Sequence, residues 1–436
     1  MSKPFRGISA YSKHIKGYNR IFDDTVRIYR DAVQFLIEVC VNEWSQLCDI
    51  KSLVYQQKAV EHLVHATSGN PSPKYDFNAR FYKMPSYLRR SSISDALGKV
   101  QSYVSNLKHG EQSVPQAGHT FPCLYKDNMY KAGDTYSARI KVFIRNTWDW
   151  LDVKLRKSDC DYISHHCSHM KECAPTLTKR GKQWFLSFPY EEQFILNDTP
   201  VREQTIAAVD LGINSSATVS VMKSDGTILA RRFFRQPVLE DSLKHKTNRI
   251  KKAQQYGNHR TPRLWTLAKG VNDAMAVNTA AFIISAAAEF DVSTIVFEYL
   301  DTAGKKSGRS KRQRLALWNH QYVQEIVEHR AHRSGIHVSR VNPWGTSKYA
   351  YDDSGIVERG IDGNYSICKF QNGKVYNCDL NASYNIGARY FVREILKSLS
   401  ATARLAIEAK VPQCAKRTTC TLSTLISMNA VLTGIA

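Results

Sequence analysis

The sequence predicts a multi-domain α/β protein, on three observations. At 436 residues the chain is longer than one hydrophobic core usually serves. Its hydrophobic fraction of 43% is that of a globular protein. Its texture changes twice, from helical periodicity to short alternating runs, and then to apolar strands interleaved with helices.

Residues 16–112 carry mostly helical patterns. "NRIFDDTVRIYRDAVQFLIEVCVNEWSQL" repeats apolar residues at spacings of three and four. "SPKYDFNARFYKMP" interrupts, and "SYLRRSSISDALGKVQSYVSNL" resumes a helix with Arg89 and Arg90 side by side near its start. From about 113 to 200 the segments "TYSARIKVFI", "WDWLDVKL", "PTLTKR" and "QWFLSFPYEE" are short, aromatic and partly alternating, as in a small β-barrel or sheet. "QTIAAVDLGINSSATVSVMKSDGTILARRFF" then reads as three strands with a turn at Asp225-Gly226. A basic helical region, an apolar helix and the strand "VSTIVFEYL" follow. The basic loop "GKKSGRSKRQR", a helix near "LALWNHQYVQEIVEHRAHRSG" and the strand "IHVSRV" come next.

Charge narrows the function class. Lys plus Arg outnumber Asp plus Glu by 61 to 39, a net +22 that suits a long polyanion such as nucleic acid. Against an anionic membrane stand the absence of a lipidation signal and of a secretory apolar run in "MSKPFRGISAYSKH". "AMAVNTAAFIISAAAEF" is broken by Asn278, Thr279 and Ser285, and reads as a buried helix. Ten cysteines in a chain of this length, with no signal peptide, read as reduced thiols in a cytosol.

Three acids stand out by position. Asp379, in "YNCDLNASYN", opens a helix, where the ordinary role of an aspartate is an N-cap. Asp210 ends the apolar strand "TIAAVD", where a turn role is ordinary, and Glu298 ends "TIVFE", where a strand simply meets solvent. Taken together, their order is that of an RNase H-like sheet, in which the ends of the first and fourth strands and a late helix meet at one edge. Carboxylates from all three would hold two Mg²⁺ ions about 3.5–4 Å apart, the spacing used for in-line phosphodiester cleavage. Mg²⁺ takes hard oxygen ligands of this kind.

"VDLGINSSAT", "IVFEYLD" and "NCDLNASYNIGARY" resemble the three RuvC motifs of TnpB, the transposon-encoded RNA-guided nucleases, and of the related compact type V CRISPR effectors. "VNPWGTSK" resembles the segment before their zinc-binding insertion. The resemblance is specific over about residues 205–390. It implies that Asp210, Glu298 and Asp379 are catalytic metal ligands, with guide RNA and target double-stranded DNA as partners. The implied activity is cleavage beside a short target-adjacent motif, base pairing reading the sequence.

The expected domains are a β-barrel wedge (1–15 and 113–200), a helical recognition domain (16–112) and a RuvC nuclease domain (201–341) with a lid near 302–320. A hairpin insertion (342–378) and a last motif with C-terminal helices (379–436) complete the chain. The insertion departs from the family, which carries two CxxC pairs. Ala350 and Asp353 fall in the first two cysteine slots, leaving Cys368 and Cys378. An Asn372-Gly373 two-residue hairpin pairs Cys368 with Asn377 and turns the two thiols to opposite faces, which argues against zinc or a disulfide. "CDYISHHCSHMKEC" (Cys160, His165, His166, Cys167, His169, Cys173) has ligands enough for zinc but no finger spacing, and reads first as a surface helix or loop.

Beside a phosphodiester site, Lys251, Lys252 and Arg263 in the basic run Lys244–Trp265 are candidate phosphate contacts, as are Arg89, Arg90, Arg312 and Arg314. Trp318 is an anchor for the lid or an ordinary core residue. Three other readings compete with guided cleavage, the weakest a structural RNA chaperone, which explains the charge but not the acids. A family member that binds DNA without cutting is expected to lose an acid, and all three are present. An RNase H-fold transposase typically places Glu last, on the helix.

Overall fold

The computed structural model describes residues 5–17, 19–107, 110, 113–212, 215–300, 319–361, 363–416 and 418–434. The chain divides into two units, residues 6–192 and residues 193–436 together with the first five.

The first unit opens with β1 (Phe5–Ile15) and continues into α1 (Asn19–Asn42), α2 (Trp44–Leu47), α3 (Leu53–Val64), α4 (Phe77–Arg80) and α5 (Ser86–Leu107). In α1, Phe22, Val26, Tyr29, Val33, Leu36, Ile37 and Cys40 recur at helical spacing and are all buried. The Tyr29 hydroxyl donates to Asp95 Oδ2 at 2.6 Å, fixing α1 against α5. Next come β2 (Tyr130–Ala132), β3 (Ser137–Ile144), β4 (Thr147–Lys154), α6 (Lys157–His166), β5 (Lys171–Glu172), β6 (Thr176–Arg180) and β7 (Gln183–Phe194). They form two sheets, β2-β3-β4 and β1-β7-β5, with β6 also on β7. The turn between β3 and β4 is Arg145-Asn146, both at positive φ (51° and 60°), which suits the twist of a tight hairpin.

The second unit contains β8 (Thr205–Asp210), β9 (Ala217–Lys223), β10 (Ile228–Phe234), α7 (Pro237–Gln255), α8 (Pro262–Glu289), β11 (Thr294–Glu298), α9 (His320–Arg333) and β12 (His337–Val341). Strand order is β10-β9-β8-β11-β12, with antiparallel pairing up to β8 and parallel pairing beyond it. This is the RNase H-like sheet expected from the element order. Period-two alternation splits its side chains between two layers. Ala207, Val209, Val219, Val221, Ile295 and Phe297 pack with α8 and α9. Ile206, Ala208, Met222 and Val296 pack on the other face with the long helix α10 (Cys378–Ser398). Gly387 lets α10 approach, since a Cβ there would lie 3.1 Å from Ala208 Cβ and 2.1 Å from Met222 Sδ.

Among the described residues one helix, α8, is long and apolar enough to cross a membrane by length and composition. It runs 28 residues, well beyond the apolar stretch seen in the sequence, and Ala276, Ala280, Ile283 and Ala287 lie in the sheet core.

Between β12 and α10 lies the insertion, with β13 (Glu358–Ile361), β14 (Asn364–Lys369) and β15 (Val375–Asn377). Its hairpin differs from the expected one. Phe370 N–H donates to Lys374 O at 2.8 Å, so the loop holds three residues rather than two. The register becomes Ile367↔Asn377 and Cys368↔Tyr376. A one-residue slip moves every side chain to the other face, so Cys368 and Cys378 share a face instead of opposing one another. Both are buried in one cluster with Ala350, Val357 and Phe370. The C-terminal stretch forms α11 (Ala401–Lys410) and α12 (Leu422–Thr433), which close the core behind α10.

Candidate active site

Strand parity brings two of the acids to one face, and a helix packed on that face brings the third. Val209 and Phe297 point to the α8 layer, so Asp210 and Glu298, one residue on, point to the α10 layer. The parallel register Thr294↔Ile206 and Val296↔Ala208, carried two residues further, sets Glu298 beside Asp210. Both stand at the carboxyl ends of neighbouring parallel strands, next to the antiparallel β8–β9 pair, where open α/β sheets form binding crevices. Asp379 arrives on the first turn of α10. It is not the cap of that helix. Asn377 is, its Oδ1 accepting from Asp379 N at 3.0 Å and from Leu380 N at 2.9 Å. The Asp379 carboxylate is therefore not spent on capping.

The electrostatics follow from this crowding. Burial pushes the Asp210 carboxyl well above the usual carboxylate range, and the negative charges of Glu298 and Asp379 push it further, against the opposing pull of Arg359. Burial also raises Asp379, while Arg359 and Arg235 pull it back. Glu298 is held by Thr346, whose hydroxyl donates to Oε1. Half-buried like charges crowded at one edge call for a proton or a cation.

The donor set suits a hard divalent ion: three carboxylates, with the buried Thr218 Oγ1 opposite Asp210 in the β8–β9 register and without a hydrogen-bond partner. Among the described residues no three His, Cys, Asp or Glu side chains are gathered closely enough to grip a metal as they stand. The acids would have to draw together around an ion.

One face of α10 organises the loop beside the acids. Asn381, Asn385 and Arg389 recur every fourth residue. Asn381 Nδ2 donates to Tyr349 O at 2.9 Å, and Asn385 Nδ2 donates to Thr346 O at 2.9 Å. The buried Arg389 guanidinium donates to four backbone carbonyls, those of Asn342, Trp344, Thr418 and Cys420. Thr346, Asn377, Arg359 and Arg389 are the site residues sequence reasoning did not single out. The "VNPWGTSK" segment pointed to the first of them, but not to its bond with Glu298.

The other candidates lie elsewhere. Lys251 and Lys252 near the end of α7, and Arg263 at the start of α8, are exposed. Arg90 is exposed, whereas Arg89 is 6% exposed and turned inward, with Nη2 3.1 Å from Glu61 Oε1. Arg312, Arg314, Trp318 and nearly all of the expected lid lie outside the described residues. The cysteine–histidine cluster is dispersed. Cys160 and Cys167 face the core, His166 stacks on Tyr162 with ring centroids 4.0 Å apart, and His169 Nε2 lies 3.1 Å from Glu192 Oε1.

Residues 320–386 match the family model "Cas12f1-like, TNB domain", and residues 9–144 match the "Aq_aa04 family". "Uncharacterized protein aq_aa04" of Aquifex aeolicus (strain VF5) is 31% identical over 88 residues, which is 20% of this chain and 48% of that protein. The match thus spans about half the length of that relative. The fold is similar to that of Cas12f1 in its complex with sgRNA and target DNA, with a TM-score of 0.54 and 13% identity over 84% of this chain and 81% of that one. C2c1 of Alicyclobacillus acidoterrestris with single-guide RNA is a looser likeness (TM-score 0.38, 10% identity, 85% of this chain and 70% of that one covered). Residues 320–386 are thus similar to the TNB domain of Cas12f1-like proteins, and the chain shares the Cas12f1 fold over most of its length.

Proposed function

We propose that this protein is an RNA-guided, Mg²⁺-dependent DNA endonuclease that cuts beside a short target-adjacent motif. The observation that carries the reading is the meeting of Asp210, Glu298 and Asp379 on one face of the sheet edge, where two of them raise the third. Asp210, Glu298 and Asp379 would hold two Mg²⁺ ions. What the metals supply is an attacking water of lowered pKa and countercharge at the leaving oxygen.

The protein's own groups do the rest. Thr346 fixes the Glu298 carboxylate in one orientation. Arg359, which offsets Asp210 and Asp379, places a positive charge beside the acids, where it would attract the scissile phosphate. The exposed Lys251, Lys252, Arg263 and Arg90 contact backbone phosphates. The helical stretch 16–112 serves as recognition domain, the β-region as a barrel-like wedge, and the 342–378 hairpin as a zinc-free nucleic-acid-binding module. The relative of similar fold is described with sgRNA and target DNA, and guide RNA and double-stranded DNA are the partners proposed here. Retention of all three acids favours cutting over binding alone. Glu298 on a strand and Asp379 on the helix disfavour the transposase arrangement.

The test is purification from cells carrying the native locus, sequencing of the bound RNA, and cleavage of matching DNA. One abundant RNA with a constant scaffold and a variable end, and cutting lost in Asp210→Ala, is the expected result. A random cellular RNA mixture sinks the guide. Cutting that survives Asp210→Ala sinks the site.

A further inference from the structure

Trp344 stands in the loop after β12 with 54% of its surface exposed. Several bonds hold its backbone. Its N–H donates to Asn342 Oδ1 at 2.8 Å. The buried Arg389 Nη1 donates to the carbonyls of Asn342 at 2.9 Å and of Trp344 at 2.8 Å. Gly345 follows at φ +76°, and a Cβ there would lie 2.8 Å from the Tyr349 ring, so the bend depends on glycine. Two residues after Trp344, Thr346 is bonded to Glu298. Lys348 Nζ lies 5.8 Å from the centre of the indole ring.

A large aromatic group on a flexible surface loop needs no explanation. Trp344 differs in three respects. Its backbone is pinned by a buried arginine, the same short loop carries the bond to Glu298, and a cation stands beside the ring. A rigid aromatic face with an adjacent ammonium is the arrangement that binds single-stranded nucleic acid, the ring stacking a base and the cation meeting a phosphate. Bases within a duplex are already stacked on both sides, so such a platform takes an unpaired one.

We propose that Trp344 is a stacking platform for an unpaired nucleobase flanking the scissile phosphate, with Lys348 on the adjoining phosphate. Trp344 is thus a positioning residue for a single-stranded substrate. This deepens the nuclease reading above and rests on it for the identity of the site.

Two measurements on the full chain with its co-purified RNA test it. The first is binding of an oligothymidylate carrying one 2-aminopurine, read by fluorescence. Wild type quenches the probe. Trp344→Ala loses the quench and binds roughly 5- to 100-fold more weakly, the range for one lost base stack, and Trp344→Phe restores most of both. The second is cleavage kinetics on a single strand, in which Trp344→Ala raises KM more than it lowers kcat. Equal quenching and equal KM in wild type and Trp344→Ala overturn the platform. If the wild type cuts and Asp210→Ala does not, while Trp344→Ala is unchanged, the platform fails and the nuclease stands. A Trp344-dependent quench in a protein that cuts nothing leaves the platform standing and removes the nuclease. An RNA version of the oligonucleotide separates an RNA occupant from a DNA one.

Discussion

Thr346 donates its hydroxyl to Oε1 of Glu298, tying the loop after β12 to the acid at the end of β11. The same oxygen lies 3.0 Å from Pro343 O, and one hydroxyl proton serves both acceptors. A hydrogen bond to a charged group contributes about 1.5–3 kcal/mol. Thr346→Val keeps the shape and removes the donor. Cleavage should fall roughly 10- to 100-fold and the melting temperature by about 2–4 °C for each kcal/mol lost, while Thr346→Ser stays near wild type in both. Wild-type rates in Thr346→Val would show that Glu298 is oriented by something else.

Asp210 makes the metal-free protein pH-sensitive in a defined direction. Its folded-state pKa is raised by burial and by Glu298 and Asp379. For such a group the stabilising contribution is fully present below the unfolded carboxylate pKa of about 3.9. It is lost as pH rises through the folded value. Without divalent ions, Asp210→Asn should therefore melt higher than wild type at neutral pH, by about 2–4 °C for each kcal/mol relieved. The gap should close as pH falls towards 4. Mg²⁺ should raise the wild-type melting temperature and leave that of Asp210→Asn nearly unchanged. Melting curves across pH, with and without Mg²⁺, decide it, and superimposable curves for the two proteins would refute the crowding.

How much of this was legible in advance depends on the range of the forces involved. β8 and β11 were readable because a buried parallel strand is a local apolar run, and parity then fixes where the terminal acid points. The hairpin of residues 364–377 was misread because Asn372-Gly373 suits both a two-residue and a three-residue loop. The choice rests on how Phe370 and Cys368 pack with Ala350 and Val357, which local sequence does not encode. The role of Arg389 was invisible for the same reason. Its acceptors at Asn342, Trp344, Thr418 and Cys420 are 29 to 47 residues away. Neighbouring arginines gave no clue that Arg89 would turn inward and Arg90 outward.

That difference between Arg89 and Arg90 is testable. Arg89 is buried against Glu61, whereas the Arg90 side chain is 56% exposed, with its Nε 3.6 Å from the same carboxylate. Breaking a buried pair costs about 3–5 kcal/mol, and Glu61, 23% exposed, moves the expected cost to the low end. Arg89→Ala should lower the melting temperature of the protein. Arg90→Ala should change stability by no more than about 0.5 kcal/mol. It should instead weaken RNA binding and reduce the slope of log K against log salt by about one. The reverse pattern would mean that Arg89 leaves the core to meet nucleic acid.

Cys368 and Cys378 give the last test. The Cys368 thiol donates to Tyr376 O at 3.5 Å. The neighbouring Cys378 sulfur and burial raise Cys368, whereas Cys368 lowers Cys378 against the opposing effect of burial. Sharing a face removes the geometric objection to a common metal, so the argument rests on what surrounds the sulfurs. Ala350 fills one family cysteine slot inside the same apolar cluster, with Val357 and Phe370 beside it. Asp353, in the other slot, is exposed at φ 64°. Two thiols fall short of the four ligands a structural zinc takes, and hydrophobic packing would hold the module in its place. The purified protein should then carry well under one equivalent of zinc, and prolonged EDTA dialysis should leave its melting curve unchanged. Cys368→Ala should cost about 1 kcal/mol, the scale of one modest hydrogen bond, rather than unfold the module. Stoichiometric zinc released by a thiol-blocking mercurial, with loss of the folded hairpin, would show that other ligands close around the pair.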